Sequence, residues 1–219
     1  MIRNRLSELL SERGLKTSRV AKDVKIARSS LTSMIQNDAE MVRYDAIDKL
    51  CRYLNISVND FFEYVPINIE ITIENIKSLI SFNNIENLHD LSKVLNYLYV
   101  NADFLVDIEL NNKDYDFDCE LSLNEVKYNG FFNEFIFIIK NEDEHSDLKE
   151  KINNLTPGLK KILFKRINNI LNESFRNVFL NKTDEQIALP EFSLREKATI
   201  YETINDSKFT IESNIFTEY

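Results

Sequence analysis

The chain has 219 residues, 43% of them hydrophobic, which is enough for one or two domains with cores of their own. Its net charge is −9, but residues 1–66 carry 11 Lys or Arg against 9 Asp or Glu, so residues 67–219 carry −11 and only the first part suits a polyanionic partner. Only 3 Gly and 3 Pro occur, which argues against long flexible loops, and no apolar run is typical of a membrane span or a signal peptide.

The first 36 residues predict three helices. The first runs from Ile2 to Arg13 with Gly14 as its C-cap. Two clusters of apolar residues with helical spacing then follow on either side of Ile26: Val20, Ala21 and Val24, then Leu31, Met34 and Ile35. We expect two helices joined by a tight turn, with Thr17 or Ser18 capping the first of the two. This arrangement is typical of a helix-turn-helix, in which the second helix enters a DNA major groove.

Two further helices are predicted before residue 65. A polar loop at 37–42 precedes a helix from about Asp45 to Leu54, and Ser57 is placed to cap a short fifth helix. Apolar residues recur on one side of both helices, so the five helices can close one small core.

Residues 1–64 resemble the Cro and lambda-repressor-like DNA-binding domain, also called the XRE family. The resemblance rests on a gap-free framework and on the closing segment 54–62; the framework is Leu6, Leu9, Leu10, Val20, Ala21, Val24, Ile26, Leu31, Ile35, Arg43, Tyr44, Leu50 and Leu54. Two positions depart from the family pattern: Lys25 stands where the turn usually has Gly, and Ala27 where Ser or Thr usually caps the recognition helix. The resemblance implies an all-α, five-helix DNA-binding domain over residues 1–65.

The resemblance also implies which residues contact double-stranded DNA. The recognition helix would present Arg28, Ser29, Thr32 and Ser33 to base edges, since Arg can bond both acceptors of a guanine. The DNA backbone would be contacted by Thr17, Lys16, Arg19, Lys22, Asn37 and Arg43. The alternative is that these are ordinary solvated side chains. Because one small domain reads one half-site, an inverted-repeat operator and a homodimer or higher oligomer are expected.

The predicted boundary lies at Pro66, because the residue before a proline leaves the helical conformation. Residues 66–75 form a connector or a strand, since Ile67 to Ile73 alternates between apolar and polar residues. Residues 76–219 predict an α+β domain with an antiparallel sheet and helices, and they resemble no family known to us. Within it, leucines at 88, 91, 95 and 98 predict a helix over about Ile76 to Tyr99.

Alternation then predicts strands in the second domain. They cover Phe104–Leu110, Tyr115–Leu123 and Phe131–Ile139, and Asn129-Gly130 is a good hairpin turn between the last two. Helices are expected over 147–180, interrupted at Thr156-Pro157-Gly158. Residues 198–203 and 209–216 are expected to return to the sheet.

No chemical site emerges from the sequence. Asp114, Asp116, Asp118 and Glu125 have the spacing of a calcium loop, but Cys119 stands where the loop needs Gly, and alternating aromatics favour a solvated strand face. Two Cys and two His lie too far apart for zinc, and Cys51 and Cys119 are expected as buried free thiols. We therefore expect no enzyme, no metal and no cofactor.

The resulting hypothesis is a cytoplasmic transcriptional repressor of a phage or a phage-like mobile element. Some phage repressors with this N-terminal domain cleave themselves at an Ala-Gly bond, but none of the 3 glycines here follows Ala. Release from DNA would then depend on an antirepressor, an inducer protein or a ligand. The alternative from another class is an antitoxin-like or partner-sequestering protein whose helix-turn-helix is autoregulatory. A regulator that senses a small molecule through a pocket in the second domain is a third possibility.

Overall fold

In the computed structural model, which describes residues 1–39, 41–82, 88–187 and 193–217, the chain divides into two units, Met1–Ile67 and Asn68–Tyr219. The first unit confirms the five predicted helices and adds a two-stranded ribbon. Its elements are β1 Ile2–Asn4, α1 Leu6–Glu12, α2 Thr17–Val24, α3 Arg28–Ile35, α4 Tyr44–Leu54, α5 Val58–Phe61 and β2 Phe62–Tyr64. Strands β1 and β2 pair antiparallel.

The prediction that the first helix begins at Ile2 is wrong, because residues 2–4 pair with β2 instead. Arg3, only 9% exposed, holds this ribbon in place. Its guanidinium lies 2.7 Å from the Glu8 carboxylate and also bonds Glu63. Desolvation by burial would raise the pKa of Glu8, but the hydrogen bonds and charges of Arg3 and Arg5 outweigh it and lower that pKa.

One apolar core joins the helices of the first unit. Its fully buried members are Leu6, Val20, Leu31, Leu50 and Phe61, with Ala21 and Met34 close by in the same cluster. Cys51 belongs to this cluster and is a buried free thiol, as predicted, and the same holds for Cys119 in the second unit.

Four helices of the first unit end in the same way, at a residue with left-handed backbone. These residues are Gly14, Lys25, Asn37 and Asn55, with φ of 61°, 54°, 54° and 52°. In each case the next N–H reaches back to the last turn: Leu15 to Leu10, Ile26 to Ala21, Asp38 to Ser33 and Ile56 to Cys51, at 2.9–3.0 Å. These are Schellman motifs, which satisfy carbonyls that the helix leaves free.

The predicted N-caps have mixed outcomes. Ser57 caps α5, as expected, and the structure shows that it does so through a capping box with Asp60. Neither Thr17 nor Ser18 caps α2; Lys16 precedes that helix in an extended conformation without a side-chain cap.

The second unit contains one sheet of five strands and four helices among the described residues. The strands are β3 Ile67–Phe82, β4 Leu95–Leu110, β5 Lys113–Tyr128, β6 Asn133–Ile139 and β7 Lys208–Glu212; the helices are α6 Leu91–Val94, α7 Ser146–Asn153, α8 Pro157–Ile187 and α9 Leu194–Asp206. Their order is β3-β4-β5-β6-β7. β5 pairs antiparallel with β4 and β6, but β7 pairs parallel with β6. The sheet is therefore mixed, and the prediction of a purely antiparallel sheet is wrong.

Other predictions in this unit are corrected as well. The helix expected over 76–99 is replaced by the end of β3, the single turn α6 and the start of β4; residues 83–87 lie outside the described part. Residues 198–203 belong to α9 rather than to a strand. Of the strand expected at 209–216, only residues 209–212 lie in β7. The hairpin at Asn129-Gly130 is confirmed. The helices are interrupted near the predicted Thr156-Pro157-Gly158, but the break lies at residues 154–156, because α8 begins at Pro157.

A second hairpin joins β4 and β5 through Asn111 and Asn112, which both have positive φ, of 52° and 61°. Two such residues form the type I′ turn whose twist matches that of the flanking strands. Asn tolerates this backbone better than most residues, so the Asn-Asn pair serves the role that Asn-Gly often has.

The two faces of the sheet differ sharply. One face packs against α8. The ring centroids of Phe175 and Phe137 lie 4.2 Å apart in a stacked pair, and those of Phe179 and Phe135 lie 4.6 Å apart. The opposite face, which we call the open face, brings acidic residues directly opposite each other on β4 and β5: Asp103 with Glu120, Asp107 with Asp116, and Glu109 with Asp114. Like charges in such cross-strand pairs are destabilising.

No described helix is long and apolar enough to cross a membrane. Within the described residues, no group of three or more His, Cys, Asp or Glu side chains is placed to hold a metal ion. Asp114, Asp116 and Asp118, the residues of the calcium-like spacing, lie exposed along extended strand β5.

We predict that Lys25→Gly raises the free energy of unfolding of the first unit by about 0.5–1 kcal/mol, because Gly adopts the left-handed backbone without the Cβ penalty. Gly14→Ala, which places a Cβ at φ 61°, should lower it by about 1 kcal/mol. Urea titrations followed by NMR signals of residues 1–67 measure both. An unchanged Lys25→Gly beside a destabilised Gly14→Ala would show that Lys25 carries no strain.

Candidate DNA-binding surface

Helices α2 and α3 meet at the turn 25–27, and the core decides which of their faces stay exposed. Val20, Ala21 and Val24 point inward from α2, and Leu31 and Met34 from α3. Ile26 packs against the same core from the turn. The left-handed Lys25 ends α2 and turns the chain into α3, so the helix-turn-helix geometry expected from the sequence is present.

The exposed face of α3 carries the predicted base-contacting residues. Arg28 and Ser29 are exposed, while Thr32 and Ser33 are partly buried one turn further along. Thr32 donates its hydroxyl hydrogen to the Arg28 carbonyl at 2.9 Å, which leaves the hydroxyl oxygen free to accept. These four side chains therefore share one helix and differ in how far each can reach.

Arg28 is an exposed cation at the start of α3. Within the described part of the chain its guanidinium has no ion pair or hydrogen bond, unlike Arg19, which lies 3.6 Å from Asp23, and Arg43, which lies 2.9 Å from Asp45. Exposed pairs such as these contribute little to stability. Arg19 and Arg43 could therefore exchange their carboxylate partner for a phosphate with little loss of stability. Arg28 would not have to give up an ion pair with any described residue.

The start of α3 offers main-chain donors as well. Ala27 precedes the helix without a side-chain cap, and the first bond back to it comes from the Leu31 N–H at 3.0 Å. The N–H groups of residues 28–30 thus lack acceptors inside the helix, as at any helix start. The departure from the family pattern at Ala27 therefore leaves these donors without a side-chain acceptor.

The start of α2 is similar and includes the predicted backbone contacts Lys16 and Thr17. Arg19 and Val20 both donate to the Lys16 carbonyl, at 2.9 and 3.1 Å, so the N–H groups of residues 17 and 18 point out of the helix end. With the Lys16 side chain exposed beside them, this end suits an anionic oxygen. Lys22, on the same helix, is exposed too.

The side chain of Asn37 makes structural hydrogen bonds that the sequence did not predict. Its side-chain oxygen accepts from the Asn4 N–H at 2.8 Å, and its side-chain nitrogen donates to the Asn4 carbonyl at 3.1 Å. Its amide therefore ties the end of α3 to β1. A contact from Asn37 to DNA would have to form without disturbing this tie.

Beside α3 lies a cavity of ≈ 450 Å³ that brings together residues distant in sequence. Its lining includes Lys25, Ser33, Met41, Arg43 and Lys49. Met41 is 90% exposed. The sequence does not predict Lys25, Lys49 or Met41 as contacts to DNA. The basic charge of Lys25 next to the turn is visible in the sequence. Lys49 reaches the cavity only because the fold brings α4 beside α3.

The comparison with protein families agrees with this geometry. Residues 5–66 match the Cro/C1-type HTH DNA-binding domain, so the N-terminal unit is an XRE-like helix-turn-helix domain. Searches of curated proteins and of solved structures return no match to this chain. The matched residues support a DNA-binding transcriptional regulator.

We predict that Arg28→Ala weakens binding to a selected duplex by about tenfold to a hundredfold, as expected for the loss of one bidentate base contact. Arg52→Ala is the matched control, since Arg52 is also exposed, lies on α4 and pairs with Asp48 at 2.9 Å. Fluorescence anisotropy at about 0.15 M salt, where phosphate-only binding is weakened, measures both. Equal losses in the two variants would show that Arg28 acts only through its charge.

Proposed function

We propose that this chain, whose N-terminal unit is an XRE-like helix-turn-helix domain, is a sequence-specific transcriptional repressor of a phage or a phage-like mobile element. The observation that carries the proposal is that Arg28 is exposed at the start of α3 and has no ion pair among the described residues, within the segment that matches the Cro/C1-type domain. The phage assignment itself rests on the resemblance to phage repressors. A repressor acts on the cell's DNA, so the proposal places the protein in the cytoplasm.

The proposal assigns binding to the first unit and assembly to the second. One helix-turn-helix domain reads about one half-site, and two half-sites require two copies in a fixed arrangement. Residues 67–219 carry a net charge of −11, which makes them a poor surface for DNA and leaves assembly as their task. We therefore propose a homodimer or higher homo-oligomer on an inverted-repeat operator.

Relief of repression is proposed to come from an antirepressor, an inducer protein or a ligand rather than from autocleavage. The chain lacks an Ala-Gly bond, because none of its 3 glycines follows Ala. The proposal accordingly includes no catalytic activity, metal or cofactor. Binding and assembly alone account for the proposed role.

A second candidate function is favoured by the open face of the sheet. Its three like-charged cross-strand pairs create a negative surface to which a basic protein could bind. This surface suits an antitoxin-like or sequestering protein whose helix-turn-helix regulates only its own gene. A short toxin-like gene in the same operon would favour this candidate, and neighbouring integrase or replication genes would favour the repressor.

We predict that selection from random duplex DNA with the full-length protein at about 0.15 M salt enriches an inverted repeat. Its half-site centres should lie one helical turn, about 34–36 Å, apart or a multiple of this. A single half-site without symmetry would contradict dimeric recognition. No enrichment at all would contradict the repressor proposal and direct attention to a protein partner of the open face.

A further inference from the structure

The two edges of the five-stranded sheet differ in how their outward main-chain groups are hydrogen-bonded. At the β7 edge, side chains of α8 bond the outward main-chain groups. Asn168 accepts from the Ile211 N–H at 3.2 Å, and Asn172 both accepts from the Phe209 N–H at 3.3 Å and donates to the Phe209 carbonyl at 2.9 Å. Arg176 donates to the Ser207 carbonyl at 2.9 Å. Residues one helical turn apart thus close this edge, and no further strand can pair there.

The opposite edge is β3, and its first residues show which main-chain groups point away from β4. The Ile67 N–H donates to the Val65 carbonyl at 2.8 Å, and Arg166 donates to the Ile69 carbonyl at 2.7 Å. Because main-chain groups alternate sides along a strand, those of Ile71 and Ile73 also point outward. The outward residues of this stretch are the ones with buried side chains, as Ile69 and Ile71 show.

At Asn75 the alternation of exposed and buried residues changes phase, which is the effect that a bulge in the strand has. Before it, residues 68, 70, 72 and 74 are exposed; after it, residues 77 and 79 are exposed and Ile80 is buried. Asn75 has φ 50° and donates to Asp103 at 2.6 Å on the open face. One extra residue shifts the alternation by one position. After Asn75, the outward N–H groups therefore belong to Ile76, Ser78, Ile80 and Phe82.

Among the residues that the structure describes, no bond from outside the sheet is seen at this edge from Ile71 to Phe82. The open stretch is about 40 Å long at about 3.3 Å per residue, much longer than most strands. Ile73 and Ile76 are only partly buried, and Leu79 is 61% exposed. An unprotected edge of this kind is a template for another strand.

We propose that the open edge of β3 is where a second copy of this chain binds, with the two β3 strands pairing antiparallel across a two-fold axis. This inference rests on the proposed function, because it names the surface of the proposed dimer. The stretch is self-complementary: on the open face, Glu74 and Lys77 flank its centre, so the axis would bring each acid near the base of the other copy. On the other face, partly buried isoleucines would continue the apolar core of one copy into the next.

The test is site-resolved amide hydrogen exchange on the full-length protein at low and high concentration, beside sedimentation equilibrium. The outward amides of Ile73 and Ser78 should exchange about tenfold or more slowly in the dimer than in the monomer. The amides of Thr72 and Leu79 point toward β4 and serve as the internal control, with the same protection at both concentrations. A dimer with fast outward amides would overturn this inference and leave the proposed dimeric repressor intact.

Variants at Ser78 give an independent readout. Ser78→Pro removes an outward N–H that the unit itself does not use and should yield a folded monomer. Ser78→Ala keeps that N–H and should remain a dimer. If Ser78→Pro also dimerises, or if the wild type is monomeric at all concentrations, the β3 interface is refuted; the second outcome also refutes the assembly role in the proposed function.

Discussion

Every main-chain N–H and carbonyl that leaves water must find a partner, and this constraint determines where the elements of this chain end. In the first unit the last turns of four helices are closed by residues with left-handed backbone. In the second unit the sheet is closed at one edge by amide side chains of α8. Both arrangements supply hydrogen-bond partners to main-chain groups that would otherwise lack them. The helix ends use other main-chain groups, and the sheet edge uses side chains.

The first of these arrangements shapes the candidate DNA-binding surface. The reversal at Lys25 sends the chain from α2 into α3 while Ile26 stays against the core. Since the buried faces of both helices are fixed by that core, the outward direction of Arg28 follows from packing and needs no partner of its own. A Lys in the left-handed region shows that this reversal does not depend on glycine, although glycine would adopt it more easily.

The sequence was sufficient where structure is local. Helices α2 to α5 follow from apolar spacing, and the capping box at Ser57 from a short signature. The ribbon of β1 and β2 could not be anticipated, because three-residue strands carry too little pattern and pair across the length of the unit. For the site, the exposure of Arg28 and Ser29 could be anticipated from the helical face, whereas Thr32 and Ser33 are partly buried. The tie between Asn37 and Asn4, and the position of Lys49, depend on contacts between distant residues.

In the second unit, the errors have identifiable causes. The alternation that predicted a strand at 67–73 changes phase at Asn75, so the rest of β3 lost its strand pattern, and the leucines beyond it happened to have helical spacing. Residues 198–203 predict a strand but lie in α9, whose start has a capping box of Ser193 and Glu196 that is visible in the sequence. The parallel pairing of β7 is a property of topology, since its partner β6 precedes it by three helices.

For the repressor proposed above, the negative charge of the second unit would have a kinetic consequence. Proteins slide along DNA because phosphates hold them without regard to sequence. A net charge of −11 on residues 67–219 would weaken that hold, so each visit to a wrong sequence would be short and the search would proceed by many brief encounters in three dimensions. Occupancy of the operator would then depend on the contacts proposed for α3 rather than on residence along the duplex.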